Sequence, residues 1–347
     1  MPGSIGSSST AGPSRRSRDV DPNAVWYGRH PFSLALLPLA WFYCGVAMLR
    51  RLLYRGGVLK ARHPPCPVVV VGNLTVGGTG KTPLVLRLAE LAVERGLRPA
   101  ILTRGYRGRG QGRPRAVGPE DDPAVVGDEA VLLARRGVCP VIAGPDRVAG
   151  AELAIAGHGC DLILCDDGLQ HYRLARDLEV AVIDGARGLG NGRCLPAGPL
   201  REPPGRLASV DLVIRNGGVG EGHRFALVPG LAVNLLDPTQ MRPLTAFGGQ
   251  RATAVAGIGN PGRFFELLRS HGIRLEERPY PDHHPFSAAD LKSWPPGPVL
   301  MTEKDAVKCA KFGASGLWYC PVRAEPDDAF VTALFARIAS ASSHCVP

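Results

Sequence analysis

No Cys-x-x-Cys pair and no histidine pair at zinc-ligand spacing occurs in this chain. Its nine cysteines (44, 66, 139, 160, 165, 194, 309, 320 and 345) are scattered, so neither a disulfide frame nor a metal knuckle is expected and the compartment reads as reducing. The guanine-reading pattern Asn-Lys-x-Asp is also missing, which favours ATP over GTP for any nucleotide held. Acidic side chains are the scarcer charge, 31 Asp+Glu against 41 Lys+Arg, and the net +10 favours acidic partners: nucleic acid, a phosphorylated substrate or an anionic membrane surface. Only one apolar run, Phe32 to Leu49, approaches membrane length. Its eighteen uncharged residues sit near the lower limit of roughly 17 to 25 for a span, and Pro38 kinks it. Arginines at both ends suit a tilted, monotopic or re-entrant helix as well as a full span, and a buried core helix is the plain alternative. A cleaved signal peptide fits poorly, because the run ends in Arg50-Arg51 rather than in small residues.

What is present is a chain of 347 residues, 45% hydrophobic and 21% charged, long enough for two α/β domains. Residues 1–23 read as a disordered leader and 24–60 as a membrane-associated helix. From Pro67 the pattern is buried strand, glycine loop and leucine-spaced helix, and the later runs VCPVIAG, CDLILCDDG, LEVAVID and VDLVIRNGG predict a parallel sheet with crossover helices. Strand, loop and helix restart near residue 250. The expected organisation is a P-loop NTPase-like domain over 61–216, a linker over 217–249, and a smaller α/β domain over 250–340.

In NLTVGGTGKTPLV, the stretch Thr75, Val76, Gly77, Gly78, Thr79, Gly80, Lys81 and Thr82 has what a phosphate-binding loop needs. Its glycines let backbone N–H groups turn inward, the lysine reaches β and γ oxygens, and the threonine hydroxyl serves Mg²⁺. Thr75 stands where the common pattern has glycine, and a glycine turn without nucleotide is the bland alternative. Val76 occupies the place where partitioning ATPases carry a signature lysine. The apolar strand of LILCDD ends in Asp166 and Asp167, where such a fold holds Mg²⁺ or its water shell. Asp128 precedes a helix and reads either as a proton acceptor or as a helix N-cap. Asp282, His283 and His284 lie on a proline-flanked loop, where an imidazole can relay protons, ligate a metal, or do neither. The Arg/Gly segment TRGYRGRGQGRPR, with Arg104, Tyr106, Arg107 and Arg109, suits RNA or a phosphorylated glycolipid, and its place after a sheet strand favours the glycolipid.

The blocks VGNLTVGGTGKTP, LTRGYRG, VGDEAVLLARR, CDDGLQHYRLARDLEVAVID, LPAGPLREP, GIGNPGRFFELLRSHG, DHHPF and MTEKDAVK occur in that order. Together they resemble the tetraacyldisaccharide 4'-kinase family, the lipid A 4'-kinases, from about Tyr27 to Pro321. The resemblance implies an ATP- and Mg²⁺-dependent kinase at the cytoplasmic face of the inner membrane. Its substrate would be a tetraacylated glucosamine disaccharide 1-phosphate, and no nucleic acid or obligate protein partner is implied. It implies a catalytic role for Asp128, with Asp282 and His283, and substrate contacts for Arg104, Tyr106, Arg147, Gln170, His171, Arg201 and Glu202. Asp128 and His283 are far apart in sequence, so such a pair can meet only if two domains face each other across a cleft. A P-loop switch or partitioning ATPase with no phosphoacceptor is the rival reading.

Overall fold

The computed structural model describes residues 22–344 apart from 29, 107 and 111. The leader expected over 1–23 lies outside the described residues except for Pro22 and Asn23, as do Arg107 and Cys345. Helices α1 (Pro22–Tyr27), α2 (Phe32–Ala35) and α3 (Leu37–Arg55) lead into β1 (Val68–Gly72) and α4 (Lys81–Val93). There follow β2 (Pro99–Thr103), β3 (Arg115–Ala116), α5 (Pro123–Val126), α6 (Asp128–Arg135), β4 (Val141–Ala143) and α7 (Arg147–His158). Then come β5 (Leu162–Asp166), β6 (Leu178–Asp184), β7 (Leu212–Asn216) and β8 (His223–Pro229). A second group comprises β9 (Ala232–Asn234), β10 (Met241–Arg242), β11 (Arg251–Ala256), α8 (Pro261–Ser270), β12 (Arg274–Pro279) and α9 (Ala288–Ser293). It continues with β13 (Val299–Thr302), α10 (Glu303–Cys309) and β14 (Leu317–Cys320), and the chain closes with β15 (Val322–Pro326) and α11 (Asp328–His344).

The first sheet has nine strands in the order β15-β8-β7-β6-β1-β5-β2-β4-β3. Its seven inner strands are parallel and both edge strands run antiparallel. Val68 to Val71 of β1 are buried on both faces, as β-branched residues at the centre of a doubly covered sheet must be. One face packs on Leu84, Leu88 and Leu91 of α4 and on Phe330, Leu334 and Ile338 of α11; the other packs on Val148, Ala151 and Ala154 of α7. The second sheet, β10-β9-β14-β13-β11-β12, has its own apolar layer on each side.

Residues 217–249, expected as a linker, form β8 of the large sheet and β9 and β10 of the small one. The small unit also ends sooner than residue 340: β15 pairs with β8 over Val322↔Pro229 to Pro326↔Phe225, carrying the chain back to the first sheet. The alternation in these short runs is weak, and only pairing across some ninety residues of sequence brings them into one ladder.

The apolar run at 32–49 divides at Leu36 into α2 and α3, with Pro38 in the first turn of α3. Among the described residues no helix is long and apolar enough to cross a membrane. Nor is α3 a core helix: only Ala40 is buried, while Leu39, Trp41, Phe42, Val46, Met48, Leu49 and Leu52 are exposed. Its inner side touches the body through Cys44, whose Sγ lies 3.0 Å from that of Cys194, with both thiols free.

Candidate active site

The parallel strands direct their carboxyl ends to one edge, which collects Asn73 after β1, Arg104 after β2, Asp166 and Asp167 at the end of β5, Asp184 on β6 and Asn216 on β7. Between β1 and α4 the loop 73–80 turns on Gly77 (φ 109°) and Gly80 (φ 88°). A Cβ at Gly80 would meet Asn216 Nδ2 at 2.4 Å, so the position requires glycine both for conformation and for space. The loop is braced from outside. Asn216 Nδ2 donates to the Thr79 carbonyl (2.9 Å), Val76 N–H donates to the Pro199 carbonyl (2.8 Å), and Thr75 bridges to Leu200. Lys81 Nζ donates to Asn73 Oδ1 at 3.0 Å and lies 3.6 Å from Asp167 Oδ1.

The two adjacent acids differ. Thr82 Oγ1 donates to Asp166 Oδ2 (2.9 Å), while Asp166 Oδ1 is buried without a hydrogen-bond partner. Burial, helped by the Glu129 carboxylate and opposed by Lys81, pushes the Asp166 carboxyl up to about 6. Asp167 turns the chain with φ 52° and receives Arg201 Nη1 on both oxygens at 2.9 Å. Burial opposes its charge too, but Lys81 and Arg201 outweigh burial and hold it well below the carboxylate range. A hydroxyl and a carboxylate with an unused oxygen form a hard oxygen donor set suited to Mg²⁺. No group of three metal-ligating side chains exists among the described residues.

Asp128 and His283 meet across the cleft: His283 Nδ1 lies 2.9 and 3.0 Å from the two oxygens of Asp128. Asp128 is the first residue of α6 and not its N-cap, which is Gly127. Its carboxylate accepts from the Glu129 N–H and faces the imidazole. Burial works against its charge, yet the His283 hydrogen bond and the Lys304 ammonium hold it below the ordinary range. His283 sits in the left-handed region at φ 61° and its ring lies 5.2 Å from that of Tyr106. Asp282 joins through Lys304 Nζ at 3.3 Å. His284 faces away, toward Asp290 (3.4 Å) and the Tyr280 and Phe286 rings. The pair opens into a cleft of about 260 Å³ lined by Tyr106, Arg109, Phe286, Lys308 and Lys311.

The remaining expected contacts are distributed unevenly. Arg104 is exposed, and Tyr106, which lines the cleft, is half-exposed. Arg147 is buried behind the acids, its Nη2 donating to the Asp166 carbonyl at 2.8 Å, so it supports β5 from within. Glu202 is also buried, accepting from Gln170 Nε2 (2.8 Å) and Tyr172 OH (2.7 Å), with Arg206 Nε at 3.3 Å. Burial and then Arg147 and Arg176 push His171 down to about 4, leaving it neutral at pH 7.

Sequence reasoning passed over Asn73, Glu129, Asn216, Lys304 and Lys308. Lys304 Nζ touches Glu129 Oε1 (2.9 Å) and His283 Nε2 (3.2 Å), and Lys308 Nζ stands 4.0 Å from Asp128. Lys304 and Lys308 lie in the MTEKDAVK block, which carried the resemblance without assigned roles. Asn216 ends an apolar strand just as Asp166 does, and that position was its available signal. Two further contacts join the sheets: Arg136 grips Glu303 through two 2.7 Å hydrogen bonds, and a Cβ on Gly259 would lie 2.8 Å from Gly78 N.

Known proteins are similar to this chain. The family described as Tetraacyldisaccharide-1-P 4'-kinase matches residues 32–339. A tetraacyldisaccharide 4'-kinase of Alkalilimnicola ehrlichii is 51% identical, over 91% of this chain and 96% of that protein. One from Pseudomonas aeruginosa is 49% identical, again over 91% and 96%. The crystal structure of LpxK from Aquifex aeolicus in complex with ATP superposes with a TM-score of 0.72 at 29% identity, covering 88% of this chain and 99% of that one. With a glycine loop at the sheet edge, acids on the neighbouring strand and relatives half identical over nearly their whole length, this chain belongs to the tetraacyldisaccharide-1-P 4'-kinase family.

Proposed function

We propose that the chain moves the γ-phosphate of ATP to the 4'-hydroxyl of a tetraacylated glucosamine disaccharide 1-phosphate, giving the 1,4'-bisphosphate and ADP. The observation that carries this reading is the contact between Asp128 and His283. A sugar hydroxyl needs a proton acceptor, whereas a switch ATPase has no acceptor alcohol to deprotonate. In this reading the hydroxyl oxygen bonds to the γ-phosphorus, the bond to the β,γ-bridging oxygen breaks, and the hydroxyl proton passes to Asp128. Lys81 and the loop N–H groups hold the β and γ oxygens. Thr82 and Asp166 would hold Mg²⁺, which when bound neutralises charge on those oxygens; Asp167 is occupied by Arg201 and steadies Lys81.

Arg104, Tyr106 and Arg109 are assigned to the glycolipid, and Arg147 and Glu202 to the frame beneath it. The large and small sheets act as two lobes closing on the reacting groups. The exposed apolar side of α3, whose last two turns carry Arg50, Arg51 and Arg55, is assigned to the membrane interface, on the cytoplasmic side where ATP is available. The test is to incubate the purified protein with labelled ATP and tetraacyldisaccharide 1-phosphate. Label in a lipid bearing a second phosphate supports the reading; ATP consumption with no labelled lipid overturns it in favour of the switch.

A further inference from the structure

We propose, on the membrane assignment of α3 above, that the pocket between the last turns of α3 and the body binds the phosphate headgroup of an anionic bilayer phospholipid, away from the site of phosphate transfer. Along α3 the side turned to the body runs Ala40, Cys44, Ala47, Arg51 and Tyr54, at steps of three and four residues. The outer side is exposed and apolar, from Trp41 and Phe42 to Leu49 and Leu52. A helix facing water has the reverse arrangement. An arginine on the inner side of an outwardly apolar helix therefore calls for a polar recess at headgroup depth. Such a recess exists, a pocket of about 330 Å³ lined by Arg51, Tyr54, Arg55, Tyr172, Arg206 and Ser209.

The pocket's carboxylates are already engaged. Glu179 accepts from Arg206 Nη2 on both oxygens at 2.6 Å and from Arg176 Nη1 at 3.0 Å, while Asp211 accepts from the Glu179 N–H at 2.8 Å and lies 3.9 Å from Arg337. Arg51 and Arg55 lie four residues apart on one helix, where like charges repel, and neither forms an ion pair among the described residues. Arg51 Nη2 donates to the Ser209 hydroxyl at 2.5 Å. Burial, and then the like charge of Arg206, push the Arg51 guanidinium below its ordinary value. Four lining arginines thus face two carboxylates, and a phosphodiester would offset the excess while accepting the N–H groups that Arg51 and Arg55 leave unused. Leu49 and Leu52 stand exposed on the same turns, beside which its acyl chains would lie. Glu179 is the second residue of β6 and Asp211 directly precedes β7, so the pocket lies at the amino ends of the strands. Along β6 that is about 16 Å, at roughly 3.3 Å per residue, from the edge that collects Asn73, Asp166 and Asp184.

The experiment floats full-length protein with vesicles of phosphatidylcholine alone or with roughly one-fifth phosphatidylglycerol. The unsubstituted protein should bind the anionic vesicles about tenfold more tightly. Arg51→Gln should remove most of that gain, whereas Arg50→Gln, equal in charge but outside the lining, costs about threefold or less. Ala61→Trp, which fills the pocket from its exposed rim at constant charge, should cost about fivefold or more. Equal losses in the two arginine variants, or undiminished binding by Ala61→Trp, overturn the pocket in favour of diffuse surface charge. If Ala61→Trp shows no cooperative melt, the arginine pair decides. A third vesicle carries tetraacyldisaccharide 1-phosphate in place of phosphatidylglycerol; if Ala61→Trp loses that binding and keeps the other, the pocket belongs to the acceptor and the proposal falls. Equal binding of neutral and anionic vesicles overturns the headgroup site alone, and binding to neither overturns the membrane assignment with it. Flotation needs no turnover, so a failed lipid phosphorylation assay is a separate result.

Discussion

Residues 73–82 and the cluster of Asp128, His283 and Lys304 hold their shapes by different means. The glycine loop is one contiguous segment whose form follows from glycine conformations, a strand before it and a helix after it, with outside braces from Asn216 and Pro199. The cluster is assembled from three segments on two sheets; Asp128 and His283 are 155 residues apart, and charge, not backbone, holds them. A loop defined by local geometry keeps its form when a side chain is cut back. A cluster defined by mutual charge loses its form together with any member.

The largest expected effect lies on the local side. Lys81→Met should lower kcat/KM by roughly 10³-fold, because one cation facing developing phosphate charge is lost, while the fold stays intact. Thermal melting and lipid phosphorylation, measured together, check both halves. Near-normal turnover would remove the loop from the reaction.

The cluster should behave as a unit. Asp128→Ala and His283→Ala each cost about 10²-fold or more in kcat at saturating ATP and lipid, and the double variant costs little beyond either one. Additive losses would mean that His283 acts alone, most simply on the sugar or a phosphate, and the comparison would fail on its non-local side.

Weakening the docking without touching either site should have a smaller consequence. Arg136→Met removes the two 2.7 Å hydrogen bonds to Glu303, leaving the first turn of α10 held by Lys304. A partly exposed bidentate pair of this kind contributes about 1 kcal/mol, so kcat should fall by roughly threefold to tenfold. ATP binding, measured by calorimetry, should not change; if it falls as well, the loop depends on the second sheet more than its local bracing implies.

The smallest effect is on stability and opposes function. Asp166 is buried with its carboxyl raised to about 6, above its unfolded value near 4. Such a group is neutral in both states below about pH 4 and destabilises the folded state as pH rises through 6, where the chain must bury its charge. Asp166→Asn should therefore raise the Tm by a few degrees at pH 7.5 in metal-free buffer, corresponding to about 1–2 kcal/mol, and by nothing at pH 4. Equal Tm values at pH 7.5 would show an already compensated carboxylate.

Much of this was legible beforehand. The valine run, Gly77, Gly80, Lys81 and Thr82 announce strand, loop and helix within fifteen residues, and Asp166 and Asp167 close the neighbouring strand. The resemblance singled out Asp128 and His283, and the structure places them within hydrogen-bond reach. Less legible were the return of β15 to the first sheet and the burial of Arg147 and Glu202. An arginine or glutamate looks the same in sequence whether it faces a substrate or a buried partner, because its surroundings come from distant segments. The run at 32–49 was legible as apolar, but its outward-facing side chains became visible only once the body beside α3 was in place.

By itself the sequence determined the α/β class, the glycine turn between strand and helix, and the family, because strand burial, glycine conformation and the order of short motifs are properties of neighbouring residues. Only the tertiary structure decided that residues 217–249 join two sheets as strands, that Arg201 occupies Asp167 while Asp166 keeps an oxygen unused, and that Lys304 stands at His283 Nε2. Those outcomes depend on which charges face one another across the cleft, and long-range packing alone sets those distances.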